Sequence, residues 1–146
     1  MPDRRGPYRN MRFLLEIDGI AKAGFARCRL PSSTTDVIEY REGTDPPTPR
    51  KLSGLKRFGA LVLSSGVTTD SIELFEWRTL VEQGKTDAAR RSIAVVLLGE
   101  EGDPGPRYEL QHCWPRRYES PQLDARGECV AIEVLEIVTE GVERVA

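Results

Sequence analysis

The single histidine of the chain, His112, stands next to a cysteine, Cys113. A thiol activated by a neighbouring imidazole is a nucleophile in several classes of enzyme. The run that contains both residues is typical of a β-strand, and adjacent residues on a strand point to opposite faces. We therefore expect no catalytic pair from these two side chains. A metal site is not predicted either, because no further ligands stand at a suitable spacing.

A second segment, Gly84-Lys85-Thr86, resembles the end of a phosphate-binding loop. That motif needs a glycine five residues before its last glycine, and a helix must begin after it. Thr79 occupies the glycine position, and the segment follows a predicted helix instead of preceding one. Gly54 and Gly59 have the right separation, but Ala60 replaces the lysine. Neither segment is predicted to bind phosphate.

The three cysteines, Cys28, Cys113 and Cys129, lie far apart and form no C-x-x-C pair. We expect reduced, buried thiols in a reducing compartment, with no zinc ribbon and no thioredoxin-like site. Several glutamates stand near the end of the chain, Glu133 and Glu140 among them. Four of them in one predicted strand indicate a surface facing solvent or a water-filled lumen. The sequence thus predicts no enzyme and no catalytic, cofactor-binding or metal residue.

Composition predicts one soluble globular domain over residues 1–146. The chain has a mass of 16.4 kDa, is 39% apolar and 30% charged, and has a net charge of −2. A charge so near zero does not favour nucleic-acid binding. The longest apolar run, Ile93–Leu98, is far shorter than the ~20 residues of a membrane-spanning helix. No apolar stretch follows the basic residues of the first seven positions, so we expect folding in the cytoplasm.

Charge is distributed unevenly along the chain. Residues 1–58 hold 12 Lys or Arg against 7 Asp or Glu, and residues 59–146 hold 9 against 16. The first segment is therefore +5 and the second −7. A chain polarised in this way can bind a second copy through its opposite end, although both sets of charges could also be solvated surface.

Apolar runs predict a mainly β fold, sandwich-like or barrel-like, with one flanking helix. The Asp18-Gly19 pair is typical of a tight hairpin turn, and Trp114-Pro115 predicts a bulge or an edge. The predicted strands are Phe13–Ile17, 20–30, 36–42, 60–65, 92–98, 107–118 and 128–140.

One segment has the pattern of an amphipathic helix. Asp70 and Glu73 fit a capping box at its start, and Gly84 marks its end. Its apolar stripe predicts packing against a sheet. The stripe consists of Leu74, Trp77 and Val81, with Phe75 beside it.

Residues 43–59 are predicted to form a long extended loop. Three prolines, at positions 46, 47 and 49, exclude a central strand there. The loop mixes apolar and charged side chains, and exposed apolar groups on a loop need a partner. We predict an assembly interface from Asp45, Arg50, Lys51, Leu52, Leu55, Lys56, Arg57 and Phe58.

A family resemblance rests on several motifs in order. They are Tyr8-Arg9-Asn10 with Phe13 and Glu16-Ile17-Asp18-Gly19, then Val37–Gly43, Arg50-Lys51-Leu52 with Gly54-Leu55, Gly66-Val67-Thr68, Trp77-Arg78, Trp114-Pro115, Ala131-Ile132-Glu133 and Glu140-Gly141. Together they resemble the inner tube proteins of contractile phage tails and of extracellular contractile injection systems, which are related to type VI secretion tube proteins.

The resemblance implies a structural role and no catalysis. Six copies would form a ring around a lumen, and rings would stack into a rigid hollow tube inside a contractile sheath. Sheath contraction would drive the tube through a target envelope, and cargo could occupy the lumen. The implied partners are further copies, the sheath protein, the baseplate and the tail-terminator or cap proteins. Residues 1–11 would be an N-terminal arm and residues 43–59 an inter-ring loop. The particle would assemble in the cytoplasm, as a virion tail or for release outside the cell.

Three alternatives stay open from the sequence. Residues 26–35 and Ser64-Ser65 depart from the family pattern, so the chain could be a tube-initiator or adaptor paralogue at the baseplate end. A monomeric small-barrel ligand carrier would belong to a different class and would need a closed apolar cavity. An uncharacterised hydrolase would show activity without assembly.

Overall fold

The computed structural model of the chain describes residues 8, 12–18, 20–22, 25–44, 46–68, 71–127 and 130–146, with residues 20–22 by backbone alone. The turn glycine Gly19, the site residue Asp45, the helix residue Asp70, Cys129 and most of the arm 1–11 lie outside the described residues. The described elements are β1 (Phe13–Ile17), β2 (Ile20–Lys22), β3 (Phe25–Arg29), β4 (Ser33–Tyr40), β5 (Arg50–Phe58), β6 (Leu61–Gly66), α1 (Ile72–Glu82), α2 (Thr86–Ala89), β7 (Arg91–Leu98), β8 (Pro104–Glu119), β9 (Ile132–Val138) and β10 (Gly141–Arg144).

Eight of the described strands form one sheet, which confirms the mainly β fold. Their order is β2-β1-β7-β8-β9-β6-β3, with β10 also paired to β8. The long strand β8 joins the two halves of the sheet, because β7 and β10 pair with its first part and β9 with its second. Strands β2 and β3 end the path without pairing to each other, so the described sheet is open and is not a closed barrel.

The core lies between the two halves of this sheet. Strands β1, β7 and β8 bring apolar side chains to it from one half, and β6 and β9 bring them from the other. Burial alternates along β6 and β9, as expected for strands with one face on a core. The largest fully buried side chains are Trp77, Leu15, Leu61, Leu63, Ile93, Leu110, Leu135 and Ile137.

Two irregularities bend strand β8. His112 has a φ of +53°, and the pairing with β7 shifts register beside it. The pairing with β9 shifts between Pro115 and Arg117. The bulge predicted at Trp114-Pro115 is therefore confirmed. A proline donates no backbone hydrogen bond, so it is accommodated where the ladder is interrupted.

Helix α1 packs on the core through the predicted stripe. The indole of Trp77 is 1% exposed, and its Nε1 donates to the carbonyl of Ala89 at 2.6 Å. The guanidinium of Arg91 lies 5.1 Å from the centre of the same ring. Gly84 follows the helix with a φ of +81°, which confirms its predicted role at the C-terminal end. The short helix α2 was not predicted, and it carries the carbonyl that accepts from Trp77.

Two predicted strands are wrong in extent. The single strand 20–30 is two strands, since β2 pairs with β1 while β3 pairs with β6. The final strand 128–140 is shorter and is followed by β10, which pairs with β8.

The predicted long loop at 43–59 is also wrong as a loop. Residues 50–58 form strand β5, which pairs antiparallel with β4 and leaves only residues 41–49 as connection. The prolines lie in that connection, which is where they exclude a strand. Strand β5 was not recognised from the sequence because basic residues lie among its apolar ones, so neither of its faces is uniformly apolar.

Candidate assembly surface

Strands β4 and β5 form a two-stranded hairpin that is separate from the main sheet. We name residues 33–58 the β4–β5 hairpin. Ile38 lies opposite Leu52 and Tyr40 opposite Arg50, with one register shift between Thr35 and Val37. The amide of Gly59 donates to the carbonyl of Ser32 at 2.9 Å and closes the base of the hairpin. Isolated two-stranded hairpins are marginal in water, so this one needs further contacts to be rigid.

The hairpin exposes apolar side chains on both of its faces. Val37 is 62% exposed and its neighbour Ile38 is 52% exposed. Adjacent residues on a strand point to opposite faces, so neither face is covered. Leu52 and Leu55 on the partner strand are 49% and 70% exposed. Such clusters mark interaction sites in soluble proteins.

Strand β5 is strongly basic. It carries four cations and no carboxylate. Arg57 pairs with Asp36 across the hairpin at 3.0 Å, whereas Lys51 and Lys56 are exposed and make no ion pair with any carboxylate among the described residues. The phenol of Tyr40 donates to Glu42 at 2.8 Å, which raises the pKa of Tyr40. The hairpin therefore offers apolar groups together with unpaired positive charge.

The structure brings most of the predicted interface residues onto this hairpin. Arg50, Lys51, Leu52, Leu55, Lys56 and Arg57 are exposed along β5, and Phe58 is half-buried at its base. Asp45 lies outside the described residues. Val37, Ile38 and Tyr40 belong to the same surface and were not among the predicted contacts. The sequence signal that could have identified them is the presence of apolar and aromatic residues among the charged residues of β4.

A second exposed apolar region lies on helix α1. Ile72 and Phe75 are 57% and 50% exposed, on the side of the helix away from Trp77. The ring of Phe75 contacts Tyr118 edge-on, with 5.3 Å between ring centres. Glu76, next to Phe75, is exposed and pairs with no cation in the part of the chain that the structure describes. The sequence placed Phe75 beside the buried stripe but did not show that it faces solvent.

One glutamate predicted to be solvated is buried. Glu133 is 3% exposed, and its carboxylate accepts from Tyr118 OH at 2.6 Å and from Ser65 Oγ at 3.3 Å. Burial and this hydrogen bond raise the pKa of Tyr118 to about 12. The expectation of a solvated row of glutamates is wrong at this position, because Glu133 shares a face with Leu135 and Ile137. The hydrogen-bonded side chains of Ser65, Tyr118 and Glu133 thus link β6, β8 and β9, and Tyr118 also contacts the ring of Phe75.

The side chains first considered for chemistry are not assembled into a catalytic site. His112 is exposed at the bulge of β8, while Cys113 is fully buried beside it. Burial raises the pKa of both Cys28 and Cys113 to about 11, so neither is a thiolate at neutral pH. An open pocket is lined by Asp18, Arg90, Arg91, Ser92, Gln111 and His112.

Within the described ranges, no group of three or more His, Cys, Asp or Glu side chains is arranged to hold a metal ion. Across the same residues, no helix has the length and apolar character needed to span a membrane, since even α1 has only 11 residues.

Comparison with known families gives one match by sequence. Residues 9–143 match the family described as T4-like virus tail tube protein gp19. No protein of curated function matches the chain.

Solved structures share the fold over nearly the whole chain. A chain in the PVC sheath–tube complex of an extracellular contractile injection system is 21% identical, with a TM-score of 0.87, covering 98% of this chain and 94% of that one. A chain in the anti-feeding prophage baseplate is 24% identical, with a TM-score of 0.81, covering 97% of each. Hcp1 from Flavobacterium johnsoniae is 17% identical, with a TM-score of 0.53, covering 90% of this chain and 93% of that one.

Proposed function

The chain belongs to the T4-like virus tail tube protein family, and from this premise we propose how it builds a tube. Six copies close into a ring, and rings stack into the rigid hollow inner tube of a contractile injection system or phage tail. The protein is a structural component and performs no reaction. The tube is driven through a target envelope by contraction of a surrounding sheath, and its lumen can carry cargo.

The observation that carries this proposal is the β4–β5 hairpin. Both of its faces expose apolar side chains, and its second strand carries two lysines, Lys51 and Lys56, that pair with no described carboxylate. In a subunit that acted alone, these apolar groups would stay exposed to water and would not stabilise the protein. Contact with the next ring would bury them in the core of an interface. Obligate interfaces bury roughly 2,000 Å² or more in total and are more hydrophobic than transient ones.

Ring closure is supported by the open edges of the main sheet. Strands β2 and β3 end the strand path, and each has one edge that pairs with no described strand. Free edges invite aggregation unless they are covered. Neighbouring subunits in a ring would cover them, and a closed ring leaves none exposed.

The partners follow from the assemblies in which the similar chains were solved. Those chains were solved in a sheath–tube complex, a baseplate and a tube-terminating cap. We propose the corresponding partners for this chain: a sheath protein, a baseplate and a cap. Assembly in the cytoplasm precedes release of the particle or its use as a virion tail.

The test is electron microscopy in negative stain, combined with mass photometry, on the purified protein. We expect rings and hollow tubes. Leu55→Asp should leave folded subunits or rings that do not stack. Burial of one leucine contributes roughly 1.5–3 kcal/mol, and every ring junction would lose this contribution six times.

Leu55→Met is the matched control, since it keeps an apolar side chain at the same position, and it should still form tubes. Circular dichroism checks that both variants fold. Tubes of normal length from Leu55→Asp would contradict the role of the hairpin. A strictly monomeric protein that binds a small apolar ligand would favour the carrier.

A further inference from the structure

We propose that one face of the main sheet binds acidic polypeptide and that in the tube this face lines the lumen. The face belongs to strands β3, β6, β9 and the second half of β8, and it points away from the core. We name it the arginine face. This role rests on the proposed function, in which the tube is hollow and its lumen can carry cargo. It adds the surface that meets the cargo and the chemistry that this surface selects.

Two rows of side chains cross the arginine face. Buried residues alternate with half-exposed ones along β6 and β9, so every second residue points away from the core. Strand pairing aligns these outward residues across all four strands. One row consists of Arg29, Val62, Glu136 and Arg117. The other row consists of Arg27, Ser64, Val134 and Glu119.

The two arginines on β3 carry charge that nothing nearby balances. Arg27 and Arg29 are exposed, and neither pairs with a carboxylate among the described residues. Their cross-strand neighbours on β6 are Ser64 and Val62, which are uncharged. Alternate residues on a strand lie about 6.6 Å apart, so the two guanidinium groups repel each other unless an anion lies between or above them.

The carboxylates of the arginine face are already paired. Glu136 pairs with Arg116 and lies 4.0 Å from Arg117. Glu119 lies 3.7 Å from Arg117. Two carboxylates are thus balanced by two arginines on β8. The positive charge that remains on this face is that of the β3 pair, which amounts to +2 for each subunit.

The position of the face in the ring follows from its edges and its size. The four strands end at β3 on one side and at residues 114–119 of β8 on the other, which pair with β9 alone among the described strands. Six copies joined at these edges would form a sheet of about 24 strands with a radius of about 18 Å, since neighbouring strands lie about 4.8 Å apart.

The rest of the subunit lies on the opposite side of this four-stranded half, because the core lies between the two halves of the sheet. A second sheet layer needs about 10 Å and a helix about 10 Å more. This material would fill the ring if it pointed inward. A hollow tube therefore requires the arginine face on the inside, where the β3 pairs of successive copies form a positively charged band.

The composition of the two rows favours a polypeptide over a nucleic acid. Glu136 and Glu119 stand among the arginines and would repel a continuous line of phosphates. Val62 and Val134 are half-exposed between the charged positions and can contact apolar side chains. In an extended polypeptide, carboxylates on alternate residues lie about 6.6 Å apart, which matches the spacing of the two arginines on β3.

Binding of a labelled peptide tests this chemistry. The probe is a peptide of repeating Glu-Ser-Glu-Leu units, and its binding to dilute subunits is measured by fluorescence anisotropy. Arg27→Gln combined with Arg29→Gln should weaken binding at least about tenfold. Added salt should weaken binding to the wild type, because it screens exposed charges. Circular dichroism checks that each variant folds.

Lys51→Gln combined with Lys56→Gln is the matched control. It also removes two exposed cations that pair with no described carboxylate, but from the β4–β5 hairpin. Subunits with these changes should bind the peptide within about twofold of the wild type, because charges beyond a Debye length of about 8 Å are largely screened. An equal loss of binding in both double variants would show a response to net charge and would overturn the assignment to the arginine face.

Protection of the bound peptide tests the lumen position. Wild-type tubes assembled with the probe should carry it through sedimentation. The bound peptide should then resist a glutamate-specific protease that is too large to enter the tube, whereas peptide bound to dilute subunits should be cut. Equal rates of cleavage would place the arginine face on the outside of the tube.

Three outcomes separate this role from the proposed function. If tubes form but the peptide binds the wild type and the variant of the two β3 arginines equally, the tube stands and the cargo surface is wrong. If no rings or tubes form, the proposed function fails, and anisotropy on subunits still decides whether the arginine face binds acidic polypeptide. If single-stranded oligothymidylate of equal charge binds more tightly through the same arginines, the partner is a nucleic acid and the proposal is overturned.

Discussion

Tyr118→Phe tests whether the buried carboxylate is part of the framework that holds β6, β8 and β9 together. The substitution removes one hydroxyl, and with it the 2.6 Å hydrogen bond to Glu133. Glu133 is 3% exposed and would keep only the Ser65 hydroxyl at 3.3 Å. Loss of a hydrogen bond to a buried charged group costs about 1.5–3 kcal/mol. For a domain of this size, that corresponds to a fall in Tm of roughly 3–12 °C.

The assay is urea unfolding of dilute, unassembled subunits at neutral pH. Tyr108→Phe is the matched control, because Tyr108 also packs on the core but its hydroxyl makes no hydrogen bond to any described residue. We expect that control within about 0.5 kcal/mol of the wild type. If Tyr118→Phe proves as mild as Tyr108→Phe, the hydrogen bond to Glu133 does not stabilise the fold.

The burial of Tyr118 and its hydrogen bond to Glu133 together predict that stability depends on pH. The pKa of Tyr118 is raised from 10.0 to about 12 in the folded chain. The stability that this shift reflects is fully present below pH 10, and it is lost as the pH rises from 10 through 12. The difference in unfolding free energy between the wild type and Tyr118→Phe should therefore shrink over that range. A difference that stays constant from pH 8 to 12 would contradict the coupling.

Two further predictions concern a glycine and the thiols. Gly84→Ala places a methyl group at a φ of +81° with no atom within 4 Å, so only backbone strain should lower the free energy of unfolding in urea, by about 1–2 kcal/mol. Gly43→Ala is the control, because Gly43 also lies in open space but has no positive φ. The control should leave the free energy of unfolding nearly unchanged. Equal effects of both changes would argue against strain. The thiols are tested in a Cys129→Ser variant, which leaves Cys28 and Cys113. Because their pKa values are about 11, both should react with iodoacetamide at pH 8 about a hundredfold more slowly than an ordinary thiol. After unfolding in urea, both should react rapidly. Rapid alkylation of the folded chain would contradict the raised pKa values of the half-buried Cys28 and the buried Cys113.

Elements with one buried face were predictable from the sequence. Strands β1 and β6 were recognisable as short apolar runs, and α1 by an apolar stripe with helical period, because one side of each meets the core. Local chemistry located the bulge at Pro115 and the helix end at Gly84. In each case the determining interaction lies within a few residues along the chain.

The errors share a physical cause. Periodicity reports a contrast between a buried and an exposed face, and β5 has no such contrast because both of its faces are exposed. Strand β10 is four residues long and depends on its pairing with β8, which the sequence does not show. Glu133 could have been assigned to the core, because it stands two and four residues before Leu135 and Ile137 on the same face of the strand.

The β4–β5 hairpin was the hardest element to predict, and it is also the element whose apolar side chains most clearly need a partner to cover them. Its strand pattern lacks an apolar face because the surface that would cover it belongs, in the proposed tube, to another molecule. The same reasoning applies to α1, whose inner stripe was predictable while Phe75 remained half exposed. A monomer selected for stability alone would replace such side chains by polar ones at little cost. Their retention fits a subunit whose final structure includes its neighbours, and the loss of stacking expected for Leu55→Asp measures this dependence directly.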